Sequence, residues 1–271
     1  MRAARSARPA SPSAPSGLLS SEWSRWLLFA VVSISVWEIG ARFYGAPFLL
    51  PTPSRILEEF LKTPALVLAN AWITTQEILV GFVLGSLIAL IAATVLIVLP
   101  RLLEDFIFRA VTTLNSIPFV ALASLVVVWL GVNGIGSKVA IAALYAFFAL
   151  VYHAHKAMTS TDASKEELLT SYSSNFSQRV RFLKFPSSLP IIFTSLKGAA
   201  MAAVNGAIVG ELFGAFQGLG FMILDSRYVG NTASVFLAAV CCTVVGWLLL
   251  GVLNALERRF VGWHLEMTQR G

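Results

Sequence analysis

Six long apolar stretches punctuate this chain, separated by shorter polar segments. They run from about Trp26 to Tyr44, Thr74 to Leu99, Ile117 to Val132, Val139 to Tyr152, Pro190 to Val209 and Val235 to Leu253. Each reads as a membrane-spanning helix, because in lipid only a helix or a closed barrel pairs every backbone N–H and C=O. The runs are too long and too uniformly apolar for the alternation of a barrel strand. The third and fourth are the shortest. A tight turn, Gly131–Gly136, separates them, and a short amphipathic lead-in from Asp105 to Asn115 precedes the third. The pattern predicts one all-helical domain over residues 23–271 and a disordered tail over 1–22.

Composition agrees. Of 271 residues, 57% are hydrophobic and only 13% are charged, against about 25% charge in a soluble domain. So few charges cannot cover a globular surface, so lipid must cover part of it. The net charge of +6 sits in the segments between the apolar runs. That is a topological pattern, and with no basic, aromatic-interleaved face it excludes nucleic-acid binding. If the N-terminus lies inside, fourteen of the twenty Lys and Arg fall on the inner side, five on the outer side, and Lys197 falls within the fifth span. This bias places both termini in the cytoplasm. Residues 1–22 are rich in Arg, Ser and Pro, as organelle transit peptides are. The preferred reading is a cytoplasmic tail whose Arg2, Arg5, Arg8 and Arg25 orient the first span.

The polar segment from His153 to Pro190 is a folded element. Ser164 and Glu167 stand at capping-box spacing for a first helix reaching about Tyr172. Ser173-Ser174-Asn175 breaks it, and Asn175 is a good N-cap for a second helix. There Phe176, Val180 and Leu183 share one face, ringed by Arg179, Arg181 and Lys184, and Pro186 ends the helix. Such a pair can dock into a groove of another protein or lie on an anionic lipid surface. Composition and spacing leave both open.

Chemistry-bearing residues are few. Cys241 and Cys242 are adjacent in an apolar run and form neither a disulfide framework nor a metal site. No GxxxxGK[ST] segment cradles phosphates, and the glycines of 131–136 and 214–220 lack the preceding strand of a dinucleotide loop. No catalytic, cofactor or metal residues are expected. His153 and His155 are expected at the membrane interface. Polar groups in the spans are candidates for the translocation path: Asn115, Lys197, Asn205 and Glu211. Glu38 and Glu77 qualify too, and Glu38, Glu77 and Glu211 are placed near the interface, where an acid can reach water.

The loop resembles the EAA loop of ABC importer permeases. Counting from Pro186 puts Glu167 on that motif's glutamate, Ser173 on its glycine, Leu183 on its isoleucine and Phe185 on its leucine, with Leu168 and Leu169 replacing the two alanines. Three further segments, Glu38 with Phe48–Phe60, Leu114–Lys138 and Val209–Ile223, resemble the nitrate/sulfonate/taurine permease family. The resemblance implies a type I ABC importer (MetI-like) permease fold in a bacterial inner membrane. It also implies a homodimer, a cytosolic ABC ATPase dimer and an extracytoplasmic solute-binding protein. The cargo would be a sulfonate-, taurine- or nitrate-like anion, or a compound like a pyrimidine precursor of thiamine. Residues 158–190 would form the coupling loop, with Glu167 fixing its first helix and Phe176, Val180 and Leu183 as the docking ridge. A glycine at position 173 would favour a left-handed turn. Serine there costs about 1 kcal/mol unless the turn shifts toward Asn175. The rival reading is a secondary transporter, which needs no ATPase and no docking loop.

Overall fold

The computed structural model describes residues 22–132, 134–161 and 163–268, and the expected tail falls outside the described residues but for its last position. In chain order the helices are α1 (Glu22–Tyr44), α2 (Pro53–Lys62), α3 (Pro64–Leu96), α4 (Arg101–Leu114), α5 (Phe119–Leu130), α6 (Gly136–Thr159), α7 (Ala163–Ser171), α8 (Phe176–Arg179), α9 (Phe185–Gly214), α10 (Leu219–Tyr228) and α11 (Thr232–Thr268). A π-helical turn, Val180–Lys184, joins α8 to α9.

Among the described residues, five helical segments are long and apolar enough to cross a membrane: Ser24–Tyr44, Pro64–Leu96, Gly136–Thr159, Phe176–Gly214 and Thr232–Gly262. The expected third span is not straight. Its apolar part is the twelve-residue α5, about 18 Å long, which falls short of a hydrocarbon core of about 30 Å. Only together with the amphipathic α4, which precedes it at 91°, does it reach the length and apolarity of a span, as a broken span or a re-entrant loop. Pro118 lies in the break and, lacking an N–H, opens α5 at no cost in hydrogen bonds. Hydropathy located the other spans but shortened them. Helices α3 and α9 begin ten and five residues before the expected spans: α3 takes in the apolar segment 64–73 ahead of Thr74, and α9 the segment 185–189 ahead of Pro190.

The bundle is built around α6, which packs along both α3 and α9. Small residues make this possible. Ala142, Ala146, Ala199, Ala200, Ala203 and Ala207 are completely buried. At Gly85 a Cβ would collide with the Ala143 carbonyl. In lipid, where burying apolar area gains little, such close approach gives helices their van der Waals attraction. Helix α1 stands apart. Its Trp37 ring meets Phe236 at 6.0 Å, while Trp26 to Val36 present apolar side chains outward, as a lipid-facing span would. Glu38, at its far end, accepts from the Ser54 N–H at 3.0 Å and so caps α2.

Candidate functional site: a two-helix loop and two polar clusters

The loop folds from local instructions. Helix α7 stops in a Schellman turn: the Ser173 N–H donates to the Thr170 carbonyl at 2.9 Å and the Ser174 N–H to the Leu169 carbonyl at 3.2 Å. That turn requires one left-handed residue. Ser173 supplies it with φ +56°, the one non-glycine with positive φ among the described residues. The turn therefore stays at the motif's glycine position and does not shift toward Asn175. Asn175 caps α8 as expected and does so reciprocally. Its Oδ1 accepts from the Gln178 N–H at 2.8 Å, and Gln178 Oε1 accepts from the Asn175 N–H at 2.9 Å. Lys184 reaches back to Glu166 at 2.9 Å and ties the two helices together.

Three expectations for the loop need correction. Helix α7 begins at Ala163, so Ser164 lies inside its first turn, two residues past the N-cap position. Pro186 does not end the second helix. The backbone stays helical from Phe176 to Gly214, with Pro186 in the first turn of α9 and Pro190 inside it. The π turn widens the backbone just ahead of Pro186, which relieves the clash of its ring with the carbonyl four residues back. The apolar ridge is also divided. Leu183 is buried and Val180 packs on the bundle core, leaving Phe176 outward. The large apolar side chains the loop exposes are Leu168, Tyr172, Phe176, Phe182 and Phe185. Glu167 is exposed and shares a cavity of about 600 Å³ with Glu166, Thr170, Ser171 and Arg179.

At the opposite end of the bundle, Glu211 is fully buried. It accepts from the Thr74 hydroxyl at 2.6 Å and from the Gly220 N–H. Thr74 Oγ1 accepts from the Leu219 N–H at 2.8 Å, and Asn70 Oδ1 from the Gly218 N–H at 2.7 Å. Three successive N–H groups at the start of α10 are thus satisfied by two residues one turn apart on α3 and one on α9. A helix N-terminus carries partial positive charge, which suits a carboxylate. Gly218 has φ +107°, and a Cβ there would strike the Glu211 carboxylate. Glu77, one turn beyond Thr74, and Lys138 are buried beside Glu211. Lys138 donates to the carbonyls of Val132 (2.6 Å) and Gly134 (3.1 Å), closing the α5–α6 turn. Glu77 and Lys138 line a cavity of about 470 Å³ with Gln76, Phe216 and Gln217.

A second polar cluster lies nearer the loop. Lys197 on α9 pairs with Glu257 on α11 at 2.6 Å. Glu257 lines a cavity of about 700 Å³ with His153, Thr194, Ser195 and Gly198. Asn205 is exposed on α9, on the same side as Thr194 and Gly198. Asn115 is exposed at the break between α4 and α5. The four candidates therefore do not converge. Glu211 is sealed in a helix cap, Lys197 is paired, and Asn205 and Asn115 are exposed on different elements. His155, expected at the membrane interface, lies one turn from the end of α6. It is buried on α6 and bonds Glu104 at 2.8 Å. Sequence reading missed Thr74, Lys138, Glu257 and Glu104. Only Glu257 had a visible signal, an acid ending the sixth apolar run. No group of three or more His, Cys, Asp or Glu suited to a metal occurs among the described residues.

Five long apolar helices around a small-residue core define an integral membrane protein. Residues 81–262 match the family of binding-protein-dependent transport system inner membrane components, and the chain belongs to that family. It is similar to the formylaminopyrimidine transport permease protein ThiX of Halalkalibacterium halodurans, 30% identical over 88% of this chain and 94% of the relative. A putative aliphatic sulfonates transport permease protein, SsuC of Bacillus subtilis, is 28% identical over 89% of this chain and 88% of its own. The riboflavin transport system permease protein RibX of Chloroflexus aurantiacus is 30% identical over 84% and 85%. Among solved structures, the inward-facing MetNI methionine ABC transporter superposes with a TM-score of 0.65 at 19% identity, over 73% of this chain and 98% of the other. The fold is thus that of a type I ABC importer permease, and the chain is a multi-pass membrane subunit of an importer for a small solute.

Proposed function

We propose that two copies of this chain form the translocation path of a bacterial inner-membrane importer driven by a cytosolic ABC ATPase dimer and supplied by an extracytoplasmic solute-binding protein. The α7–α8 pair carries this reading. It is an exposed, locally capped, two-helix element placed between two long spans, with Glu167, Leu168, Tyr172 and Phe176 outward. ATPase closure would move this pair as a body, and the continuous helix from α8 through α9 would carry the motion into the membrane. The distribution of Lys and Arg supports placing the loop and both termini in the cytoplasm, and the Glu211 cap at the outer face.

The path would run along the side of α9 that bears Thr194, Gly198 and Asn205, where a lipid-facing helix would carry large apolar groups. Lys197 and Glu257 would flank its inner end, and Asn115 would mark the hinge of the broken span. The relatives' names support a small solute, either a pyrimidine or a sulfonate-type anion. Deleting Glu166–Lys184 tests the reading. The deleted permease should reach the membrane but no longer co-purify with the ATPase. A secondary transporter would not need the loop, so retained ATPase binding would refute the proposal.

A further inference from the structure

Helix α4 is the one helix of more than four residues with none buried among those described in full, yet it is half of a span. Its partner α5 is firmly seated: the Phe119 ring meets Tyr145 at 4.7 Å, and Ala123 and Val127 are buried against Ile141. Helix α4 touches the bundle along a single line, Glu104, Phe108 and Val111, at spacings of four and three residues. Glu104 bonds the buried His155 at 2.8 Å. The Phe108 ring lies 4.3 Å from the His155 ring and 5.4 Å from that of Tyr152. Val111 rests on the core. On the other side, Leu102 and Phe106 are exposed.

His155 occupies a particular place in the chain. It lies one turn before the end of α6, and only three residues separate α6 from α7. The helix that leads directly into the loop therefore holds α4 by one carboxylate–imidazole contact and one ring contact. Charge-assisted hydrogen bonds are the stronger kind and are directional, so this contact fixes the azimuth of α4 as well as its distance.

We infer that Glu104, Phe108 and His155 are positioning residues that clasp α4 to the inner end of α6, so that the broken span follows the loop during the transport cycle. The inference rests on the proposed ATP-driven reading and adds a second route beside α9. Without the clasp, α4 would pivot at Asn115–Pro118 while α5 stays seated, and loop motion would not reach the third span.

The test uses the complete complex in nanodiscs, with Cys241 and Cys242 replaced by Ser and spin labels at the exposed Leu102 and Lys156. With the clasp intact, the label-to-label distance should be narrow and unchanged between the nucleotide-free and the ATP–vanadate-trapped complex. Glu104→Ala should broaden it and lower binding-protein-stimulated ATP hydrolysis about tenfold, leaving unstimulated hydrolysis intact. Glu104→Gln, which still bonds the ring, should restore the narrow distance. In an unlabelled Glu104→Cys/His155→Cys complex, a short bifunctional thiol reagent should recover stimulated hydrolysis lost in the uncrosslinked form. This arm decides the matter if Glu104→Ala fails to assemble. A distance that changes with nucleotide in the unsubstituted clasp, an unbroadened Glu104→Ala, or a crosslinked form that stays inactive would each overturn the inference. Failure of the unsubstituted complex to recruit ATPase would instead count against the importer reading.

Discussion

Helices α8 and α10 begin with the same difficulty and resolve it from opposite directions. Each leaves N–H groups of its first turn without a helical partner. For α8 the partners are three residues apart in sequence, Asn175 and Gln178, at the surface. For α10 the partners are Asn70, Thr74 and Glu211, brought from 148, 145 and nine residues away and buried. The first cap draws only on its own segment and takes no partner from the bundle. The second exists only once α3, α9 and α10 are assembled, and it in turn locks that assembly. A surface cap can be lost with little consequence beyond its own turn. A buried one leaves every group it served unsatisfied in a medium without water.

The largest effect should follow from breaking the buried cap. Glu211→Ala strands the Gly220 N–H and leaves the Thr74 hydroxyl only its bond to the Asn70 carbonyl, at about 3 kcal/mol for the buried donor left unpaired. Thermal unfolding of the purified permease in detergent should show a fall of several degrees or no folded protein at all. Gly218→Ala should approach the same result by another route. It places a methyl group against the Glu211 carboxylate and forces a positive φ on alanine.

The Lys197–Glu257 pair should rank next. Glu257→Ala leaves a part-buried ammonium without a partner, a loss of about 2 kcal/mol. Removing both charges with Lys197→Met and Glu257→Leu should recover most of that stability, because a partly desolvated pair gains little over apolar packing. If the double substitution is as unstable as the single one, the pair holds α9 to α11 by more than charge. If it is stable but transports poorly, the charges serve the path.

The two caps also explain how much of the molecule the sequence revealed. Spans, the loop and the N-cap at Asn175 depend on neighbours within a few positions, so pattern and spacing exposed them, whereas the left-handed residue at 173 was suggested by the resemblance to the motif's glycine and located by the structure. Glu211 stood out as an acid in an apolar run, and composition suggested a wall of the path. Its actual role needed Thr74, and nothing near either residue points to the other. His155 was opaque for the same reason, since its carboxylate lies 51 residues earlier. The broken third span was half visible: its shortness and amphipathic lead-in were plain, but the 91° angle between the pieces depends on how each packs.

On the surface side, Asn175→Ala should cost about 1 kcal/mol, the usual value of an N-cap. The loss should stay within the loop. Hydrogen exchange should speed up at α8 and leave α10 protected, because the Lys184–Glu166 pair and the buried Leu183 still hold the π turn in place. Faster exchange at α10 would mean that the two helix starts are coupled through the length of α9.

The smallest and most diagnostic change runs in the stabilising direction. Ser173 holds φ +56° to complete the Schellman turn, and a side chain there bears a steric cost that glycine avoids. Ser173→Gly removes that cost but loosens the unfolded chain, so the net gain should be at most about 1 kcal/mol. It should appear as slower hydrogen exchange across α7 and α8 with no change in the unfolding temperature of the bundle. Ser173→Val should do the reverse, since a β-branched residue is a poor occupant of that region. If glycine instead accelerates exchange, the strain at Ser173 is compensated by contacts its side chain makes. The loop would then be a rigid element tuned to serine, departing from the glycine its family motif leads one to expect.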